Sequence, residues 1–410
     1  MAGKIAYIMS RFPHLPETFI LREMNALEDM GWDIALYPLI LQEQSVLHEE
    51  SKVWVERAHY APFLSWQVVR ANLLTFIQMP FRYFGTLLRT VIENIPSPKF
   101  AARALILFPK AVLMAHLMQR EGVEHIHAHY ATHPALVAWI IHRLSGLSYS
   151  VTVHAHDIFV VKTMLKTKLG AASFIAAISE FNRDFLADLV GENIREKTYI
   201  IHCGIVPAWY SKDSVRTGGS KGTFEILNIS SLQPYKGQLN LLKACSILKE
   251  WGIPFRCRII GEGEERDNLE EFIRANGLSE DVFLLGALSQ EKVAQILQTV
   301  DCYVQPSVIA ADGKMEGIPV AIMEALATGL AVIATNISGI PELIRSGETG
   351  LLVPPGDAPA LASAIMEMFQ SKKFAKQLAV EGKKLVLKEF DLYKNVAQLA
   401  LQFQYEVARV

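Results

Sequence analysis

A strand–loop–helix–strand pattern between residues 301 and 342 constrains the fold of this chain more than any other feature of its sequence. A short apolar run at 302–305 ends at a Pro–Ser pair, and a loop of small and polar residues follows. A helical pattern then continues to Gly329, and a second apolar run occupies 331–335. Two short apolar runs joined through a helix are typical of parallel strands in one sheet. The sequence therefore predicts a parallel sheet with functional loops at its carboxyl edge.

Two carboxylates stand out in this unit because their neighbours are mostly apolar. Glu316 precedes the predicted helix and Glu324 lies in its second turn, with seven residues between them. Pro319 suits the first helical turn, where the N–H group that proline lacks would have no helical partner. A buried carboxylate needs a hydrogen-bond donor, and a helix N-terminus at the carboxyl edge of a parallel sheet binds anions. We therefore expect a phosphorylated ligand at this helix.

Length and composition limit the classes of protein that this chain can be. Its 410 residues exceed one typical domain, and 51% hydrophobic with 20% charged residues is a globular composition. A formal net charge of −2 gives no general attraction to nucleic acid. The four cysteines form no C-x-x-C pair, which argues against a disulfide framework or a zinc–thiolate site. No signal-peptide pattern opens the chain and no uncharged apolar run reaches about eighteen residues, so we expect a cytoplasmic protein.

The alternation of strands and helices continues along the chain in two series. The first series contains predicted strands at 4–9, 33–37, 125–130, 150–153, 174–178 and 199–202, and the second at 224–229, 256–260 and 282–285 before the unit at 301–342. A polar stretch with paired glycines at 207–222 separates them and is the predicted linker. Residues 359–410 have helical patterns. The fold class is therefore α/β, with two doubly wound domains.

A basic, aromatic-rich stretch at 57–110 interrupts the first series. It carries seven arginines and lysines against a single acid, Glu93. In one interpretation these residues form helices that pack on the sheet and leave their arginines in solvent. In the other, they form a face that lies on an anionic membrane. The sequence leaves both interpretations open.

Two loops of the second series carry further signals for phosphate. Gly261 and Gly263 follow a strand, but Arg266 stands where a dinucleotide fingerprint needs Gly or Ala, so an NAD site is disfavoured. The glycines instead predict a tight turn where backbone can approach a nucleotide. The loop at 230–237 would leave the sheet at the same edge as the Glu316 loop. We therefore favour phosphate binding by Lys236 over a solvated lysine.

Histidines cluster at two strands of the first series. His125, His127 and His129 alternate and would share one face of a strand, where structural or substrate-lining histidines are favoured over a metal site. His154 ends the next strand and is followed by Asp157. This carboxylate either orients the imidazole for acid–base chemistry or caps the loop beside a hydrogen-bonded histidine. The pattern leaves these two roles open.

Taken together, these motifs resemble the retaining glycosyltransferases of family four, also called group 1, over almost the whole chain. The motifs of the second half are the E-x7-E pair with Gly317-Ile-Pro319 and Met323-Glu-Ala325, Lys236-Gly237, Gly339-Ile-Pro341-Glu342 and Gly350-Leu-Leu-Val-Pro354. Others look like the branch that assembles bacterial exopolysaccharides of the colanic acid type: Phe12-Pro13 with Glu17-Thr18-Phe19-Ile20 and Arg22-Glu23, Ile126-His-Ala-His129-Tyr130, and Asp312-Gly313.

The resemblance implies a GT-B architecture, in which two Rossmann-like domains face a cleft. The implied parts are an acceptor-binding domain at 1–206, a linker at 207–222, a nucleotide-sugar-binding domain at 223–387 and a helix at 388–410 that returns to the first domain. The implied reaction moves a hexose, with retention, from a nucleotide-diphosphate sugar to a saccharide or lipid-linked saccharide. No metal or other cofactor is implied.

The resemblance also assigns roles to residues. Glu316, His154 and Lys236 occupy the catalytic positions, with Glu316 and His154 toward the donor sugar and Lys236 toward the diphosphate. Glu324 would bind the ribose. The remaining implied donor-binding positions are Ser231, Gly317, Ile318, Pro319, Val320 and Gly261.

One position departs from the family pattern. Ser231 stands where the family usually has an arginine, and Arg266 and Lys314 are the candidates to replace its charge. Two alternatives stay open beside exopolysaccharide assembly, the first motivated by the basic stretch at 57–110 and the second by Ser231. One is a glycosyltransferase that acts on a membrane glycolipid as a peripheral protein of the inner membrane face, and the other is a non-catalytic scaffold that binds sugar nucleotides.

Overall fold

The computed structural model describes residues 2–13, 18–42, 49–209 and 222–409. The chain forms two compact units. Unit 1 contains Met1–His202 and Tyr393–Val410, and unit 2 contains Cys203–Leu392. Most of the predicted linker at 207–222 lies outside the described residues, as does Glu17 of the N-terminal motif.

Unit 1 is built on a parallel sheet of six described strands in the order β2-β1-β3-β4-β5-β6. The strands are β1 (Ala2–Phe12), β2 (Trp32–Leu41), β3 (His125–His129), β4 (Ser148–Val153), β5 (Ile175–Ala177) and β6 (Thr198–Ile200). Residues 5–8 of β1 have no exposed surface, as expected of a strand covered on both faces. The strands predicted for the first series are confirmed, with ends that differ by a few residues.

Helices connect these strands. They are α1 (Thr18–Asp29), α2 (Glu49–Arg57), α3 (Trp66–Gln78), α4 (Pro80–Asn94), α5 (Pro98–Arg120), α6 (His133–Ser145), α7 (His156–Phe159), α8 (Leu165–Ala171) and α9 (Glu180–Val190). The basic stretch at 57–110 thus forms helices, and three of them, α3 to α5, pack on one another.

Helix α5 is, among the described residues, the one helix long and apolar enough to cross a membrane by length and composition. Half of its most apolar window is nevertheless buried inside unit 1. Lys110 lies in this helix with no exposed surface and donates a hydrogen bond of 2.6 Å to the carbonyl of Leu39. Burial lowers the pKa of this ammonium to about 8. The structure therefore gives α5 a place in the core of unit 1.

Unit 2 has a second parallel sheet of six described strands in the order β12-β11-β10-β7-β8-β9. The strands are β7 (Phe224–Ile229), β8 (Phe255–Ile260), β9 (Val282–Gly286), β10 (Cys302–Gln305), β11 (Ala331–Thr335) and β12 (Leu351–Val353). Strands β10 and β11 confirm the predicted strand–loop–helix–strand unit and pair in parallel, with Cys302 opposite Ala331. Strand β12 was not predicted, because three residues are too few to show a period.

The helices of unit 2 cover both faces of its sheet. They are α10 (Gln238–Glu250), α11 (Arg266–Ala275), α12 (Gln290–Leu297), α13 (Val320–Ala327), α14 (Ile340–Leu343), α15 (Ala358–Gln370) and α16 (Lys372–Glu389). Successive strand residues enter different cores: Cys302 and Val304 pack on one side of the sheet and Tyr303 on the other. Unit 2 is thus doubly wound, as predicted.

The last helix, α17 (Leu392–Val407), belongs to unit 1 from Tyr393 onward. Phe403 is fully buried and packs its ring 5.1 Å from that of His127 and 5.7 Å from that of Trp32. The implied return of the C-terminal helix to the first domain is therefore confirmed.

Candidate active site

The candidate site of unit 2 lies where the strand order reverses, between β7 and β10. Loops that leave adjacent strands on either side of such a point open a crevice at the carboxyl edge, where ligands bind in doubly wound sheets. The loop after β7 contains Lys236 and the loop after β10 contains Glu316. The two loops are joined by a hydrogen bond of 2.9 Å from the amide of Val308 to the carbonyl of Tyr235.

Glycines allow these loops to pack at backbone distance. Gly237 has a φ of +71°, and a Cβ atom there would lie 2.0 Å from the carbonyl oxygen of Pro306. Gly261 has a φ of +147°, and a Cβ atom there would lie 2.0 Å from the carbonyl oxygen of Ser230. No other residue type fits either position without moving a backbone. The Lys-Gly and Gly-Glu-Gly motifs therefore bring the loops after β7, β8 and β10 together.

The ammonium of Lys236 forms an ion pair with Oε1 of Glu316, eighty residues further along the chain. The side chains are only 14% and 9% exposed. Burial by itself would lower the pKa of Lys236, but the negative charge of Glu316, helped by Tyr235, outweighs burial and raises it. The structure thus places the predicted phosphate-binding cation in direct contact with the predicted sugar-side carboxylate.

Helix α13 starts directly after this carboxylate. It begins at Val320, and Pro319 precedes it as the capping residue, so the prediction that Pro319 occupies the first turn was wrong by one residue. The cause is that Pro319 has an extended backbone, with ψ of 121°. Gly317, Ile318 and Pro319 are buried, and the first N–H groups of α13 lie at the carboxyl edge of the sheet.

Glu324 and Glu316 both interact electrostatically with Tyr303, a residue of β10. Burial raises the pKa of the Tyr303 hydroxyl, and the negative charges of Glu316 and Glu324 raise it further. The hydroxyl lies 2.7 Å from Oε1 of Gln305. Both members of the E-x7-E pair therefore act on one buried, protonated tyrosine.

The structure distinguishes between Arg266 and Lys314, the two cations proposed to replace the arginine that the family usually has in place of Ser231. Arg266 is held by carboxylates of its own helix region, at 3.1 Å from Glu262 and 2.9 Å from Glu270. The ammonium of Lys314 instead lies 4.4 Å from the ring centre of Tyr235, on which Lys236 also packs at 4.9 Å. Lys314 is therefore the cation beside Lys236. The residue that joins them, Tyr235, was missed in the sequence, although an aromatic residue next to a site lysine was a usable signal.

In unit 1 the strand histidines form a ladder with the hydroxyls of β4. His125 lies between Ser148 and Ser150, and His127 between Ser150 and Thr152, with nitrogen–oxygen distances of 2.7–2.8 Å. Burial lowers the pKa of His125 to about 3 and that of His127 well below its usual value. Both imidazoles are therefore neutral at physiological pH.

Among the residues that the structure describes, one group has donor atoms spaced closely enough for a metal ion: Glu23, His127 and His129, within 4.8 Å of one another. Both ring nitrogens of His127 already face hydroxyls, at 2.7 Å from Ser150 and 2.8 Å from Thr152. A metal ion on His127 would have to displace one of them. The geometry therefore favours hydrogen-bonded histidines, as expected from the sequence.

His154 ends a buried relay of polar groups. Its Nε2 lies 3.3 Å from Nδ1 of His129, whose Nε2 lies 3.1 Å from Oε1 of Glu23, and the hydroxyl of Tyr7 donates to the same oxygen at 2.7 Å. A carboxylate only accepts hydrogen bonds. It therefore fixes the proton of His129 on Nε2, which makes Nε2 of His154 the donor and its Nδ1 the acceptor. Burial lowers the pKa of His154 well below its usual value, and any positive charge on His129 or His156 adds to this.

Asp157 takes the capping role. Its carboxylate accepts hydrogen bonds from the backbone N–H groups of His154, Ala155 and Ala131 at 2.8–3.3 Å. The imidazole of His154 instead pairs with His129. The interpretation of His154 and Asp157 as an acid–base pair is therefore wrong, because the carboxylate is occupied by backbone amides.

Solved glycosyltransferase structures share this fold. A glycosyltransferase from Rickettsia africae ESF-5 matches with a TM-score of 0.75 and 18% identity, over 99% of both chains. Anabaena Alr3699/HepE in complex with UDP matches with a TM-score of 0.71 and 17% identity, over 98% of this chain and 100% of that one. The predicted GT-B fold, with two Rossmann-like domains, is therefore confirmed.

Sequence similarity identifies the family of one domain of the chain. Residues 211–385 match the family "Glycosyl transferases group 1" and thus form a group 1 glycosyltransferase domain. The amylovoran biosynthesis glycosyltransferase AmsK of Erwinia amylovora is 36% identical over 208 residues, which are 50% of each chain. The putative colanic acid biosynthesis glycosyltransferase WcaL of Escherichia coli K12 is 27% identical over 389 residues, 90% of this chain and 91% of that one. The resemblance to the exopolysaccharide branch is confirmed.

Proposed function

We propose that this protein transfers a hexose from a nucleotide-diphosphate sugar to a saccharide acceptor, with retention, in exopolysaccharide or lipid-linked oligosaccharide assembly. The observation that carries this proposal is the buried pair of Lys236 and Glu316 at the switch point of unit 2. Relatives named for amylovoran and colanic acid biosynthesis support the acceptor class. Solved complexes of a structural neighbour with UDP and with UDP-glucose support the donor class.

The chemistry of the donor explains this combination of groups. Glycosyl transfer leaves negative charge on the diphosphate, and preorganised positive groups stabilise that charge in the transition state. Lys236, Lys314 and the N-terminal amides of α13 are the positive groups at this edge. A bound diphosphate would share Lys236 with Glu316, which would leave carboxylate oxygens to accept hydrogen bonds from sugar hydroxyls. Such a site supplies its charge without a metal ion.

The remaining roles follow the same logic. Glu324, in the second turn of α13, would accept the ribose hydroxyls, and the glycine turn at Gly261 would lie along the nucleoside. For His154, in unit 1, we keep the donor-sugar role that the family resemblance implies. Attack from the face of the leaving group, with a diphosphate oxygen taking the proton of the acceptor, would give retention. Glu316 then orients the sugar and forms no covalent bond to it.

The test is release of nucleoside diphosphate from a panel of UDP- and GDP-hexoses, in wild type, Glu316→Gln and a control. Glu280→Gln is the matched control, because Glu280 is an exposed carboxylate of unit 2. We expect release in wild type and in the control, and a loss in Glu316→Gln of at least about a hundredfold. If wild type and Glu316→Gln released nucleoside diphosphate at the same background rate while nucleotide binding stayed intact, the result would favour the non-catalytic scaffold over a glycosyltransferase.

A second candidate function is transfer to a membrane glycolipid. It is favoured by helix α4, which buries polar side chains and exposes apolar ones. This helix buries Thr86, Thr90 and Asn94, whereas its large apolar side chains are exposed, with Phe81 93% and Leu88 60% accessible. Helices α3 to α5 carry exposed basic residues, among them Arg70, Arg82, Arg89, Lys99 and Arg103. An apolar face with basic neighbours is the composition that binds anionic bilayers.

Co-sedimentation with phosphatidylcholine vesicles, with and without phosphatidylglycerol, tests this candidate. We expect binding only to the anionic vesicles, and we expect Phe81→Ser combined with Leu88→Ser to abolish it. Leu401→Ser, an exposed leucine on α17, is the control. No sedimentation of wild type at low salt would count against a membrane acceptor.

A further inference from the structure

A cavity of about 640 Å³ lies at the carboxyl edge of the sheet of unit 1. Its walls come from the ends of β1 and β2, the segments after β3 and β4, and one face of α5. The lining residues include the cations Arg11, Lys99 and Arg103, the aromatic residues Phe63, Phe100 and Tyr130, and His133. Because β1 and β3 lie on either side of the point where the strand order of unit 1 reverses, this is the expected place for a ligand.

The charge of this cavity is positive. Arg11, Lys99 and Arg103 line it, and no aspartate or glutamate is among its lining residues. These cations have no carboxylate within ion-pair distance among the residues that the structure describes. Lys99 and Arg103 are four residues apart on α5, so they point to the same side of that helix. Three cations that line one cavity, with no counter-charge among the described lining residues, are typical of a site for a multiply charged anion.

A partly buried imidazole adds a neutral hydrogen-bonding group. His133 stacks on Phe100 with ring centres 4.7 Å apart, and its Nε2 is buried without a hydrogen-bond partner in the described part of the chain. Burial, then the positive charges of Arg103 and Lys168, lower the pKa of His133 to about 4. The imidazole is thus uncharged at neutral pH, and the described residues do not supply the polar partner that its Nε2 needs.

The cavity adjoins the histidine assigned to the donor sugar. The ring of Tyr130 lines the cavity, and its centre lies 4.6 Å from that of His154. Tyr130 has a φ of +78°, a left-handed conformation that costs a non-glycine residue free energy and that clusters at functional sites. A ligand in the cavity would therefore lie one aromatic ring away from His154.

We propose that this cavity binds the acceptor through a phosphate or diphosphate group attached to a sugar. The proposal rests on the glycosyltransferase function proposed above. Arg11, Lys99 and Arg103 would bind the anionic oxygens, and Nε2 of His133 would take part as a neutral partner. The volume exceeds what a phosphate needs, and the aromatic faces of Phe63, Phe100 and Tyr130 suit a sugar ring. The anion has two possible sources, a lipid-linked diphosphate or a soluble sugar phosphate.

Direct binding measurements by calorimetry at low salt test the proposal. The probes are inorganic pyrophosphate, geranyl diphosphate, glucose 1-phosphate, glucuronate and methyl glucoside. All are measured on a Lys236→Met background, because the candidate site of unit 2 also attracts diphosphates. We expect the phosphorylated probes to bind, and we expect Arg103→Gln and Lys99→Gln each to weaken them roughly tenfold, as for loss of a charge-assisted hydrogen bond.

Arg120→Gln is the matched control, because Arg120 is exposed at the far end of the same helix and outside the cavity. We expect it to leave binding unchanged. Tighter binding of geranyl diphosphate than of glucose 1-phosphate would identify a lipid-linked source, and the reverse order a soluble one. The proposal is overturned if no phosphorylated probe binds, if Arg103→Gln matches Arg120→Gln, or if glucuronate binds as tightly as the phosphates.

This design separates the two proposals. If the proposed function is wrong, wild type neither binds nor cleaves nucleotide sugars. This result is independent of whether the probes bind to the Lys236→Met variant. Failure of the cavity proposal appears only in the binding of the probes.

Discussion

The buried pair of Lys236 and Glu316 allows a quantitative test by a double-mutant cycle of Lys236→Met and Glu316→Gln. Because the side chains are 14% and 9% exposed, removing one charge leaves the other buried without its partner. Such a loss costs about 3–5 kcal/mol, whereas replacing both partners by neutral groups is close to neutral. We expect each single variant to lower the free energy of unfolding of unit 2 by roughly 3 kcal/mol and the double variant by about 1 kcal/mol. The coupling energy is then roughly 5 kcal/mol.

Hydrogen exchange measured by mass spectrometry in urea can follow unit 2 by itself. Peptides from β7 and β10 report on the sheet that carries the pair, and a chain with two units need not unfold in one step. If the double variant loses as much stability as the two single variants added together, the two charges are uncoupled and the reasoning is refuted. A cost below about 1 kcal/mol for Lys236→Met would refute it as well.

The same pair sets the response of unit 2 to alkaline pH. Although burial opposes it, Glu316 raises the pKa of Lys236 above the usual 10.5. The stabilisation is therefore fully present below pH 10.5 and is lost as the pH rises through the pKa of the folded state. Wild type should lose stability above this pH more steeply than the double variant, and parallel profiles would contradict this.

Three further changes test other parts of the structure. Lys314→Gln should weaken binding of nucleoside diphosphates roughly tenfold in calorimetry, whereas Arg266→Gln should not change it; equal effects would contradict the assignment of the second cation. Gly237→Ala should destabilise unit 2 by about 3 kcal/mol in urea, because its Cβ would meet a carbonyl, whereas Gly252→Ala, with a similar φ and open space, should cost about 1 kcal/mol. Because the pKa of His133 falls from 6.5 to about 4 on folding, the unfolded chain binds the proton first. The contribution of neutral His133 to the free energy of unfolding is fully present above pH 6.5 and should decrease by about 3 kcal/mol toward pH 4. In thermal melts, His133→Phe should remove this part of the pH dependence.

The sequence was sufficient to predict the parts of the site that follow from chain direction. Parallel strands end at one edge, so the loops that carry Lys236 and Glu316 were expected side by side. Which of Arg266 and Lys314 stands beside them depends on side-chain direction. For Arg266 a signal was available, because Glu262 and Glu270 lie four residues before and after it, at the spacing of helical ion pairs.

Other contacts could not be predicted from the sequence because they join distant parts of the chain. Asp157 accepts a hydrogen bond from Ala131, twenty-six residues earlier, and no local pattern distinguishes this cap from an acid–base pair. The relay from Tyr7 through Glu23 to His129 likewise joins three separate elements. Only the packing of β1, α1 and β3 shows that a carboxylate reaches the strand histidines.

The two candidate sites differ in how their positive charge is balanced, and this difference has a consequence for binding. In unit 2 the charge of Lys236 is matched by Glu316 and both side chains are largely shielded from solvent. In unit 1, Lys99 and Arg103 are exposed and face no carboxylate across the cavity. Salt screens exposed charges far more than buried ones. Raising the ionic strength should therefore weaken the binding of an anionic acceptor to unit 1 more than the binding of a nucleotide to unit 2. The salt dependence of binding thus distinguishes the two substrates.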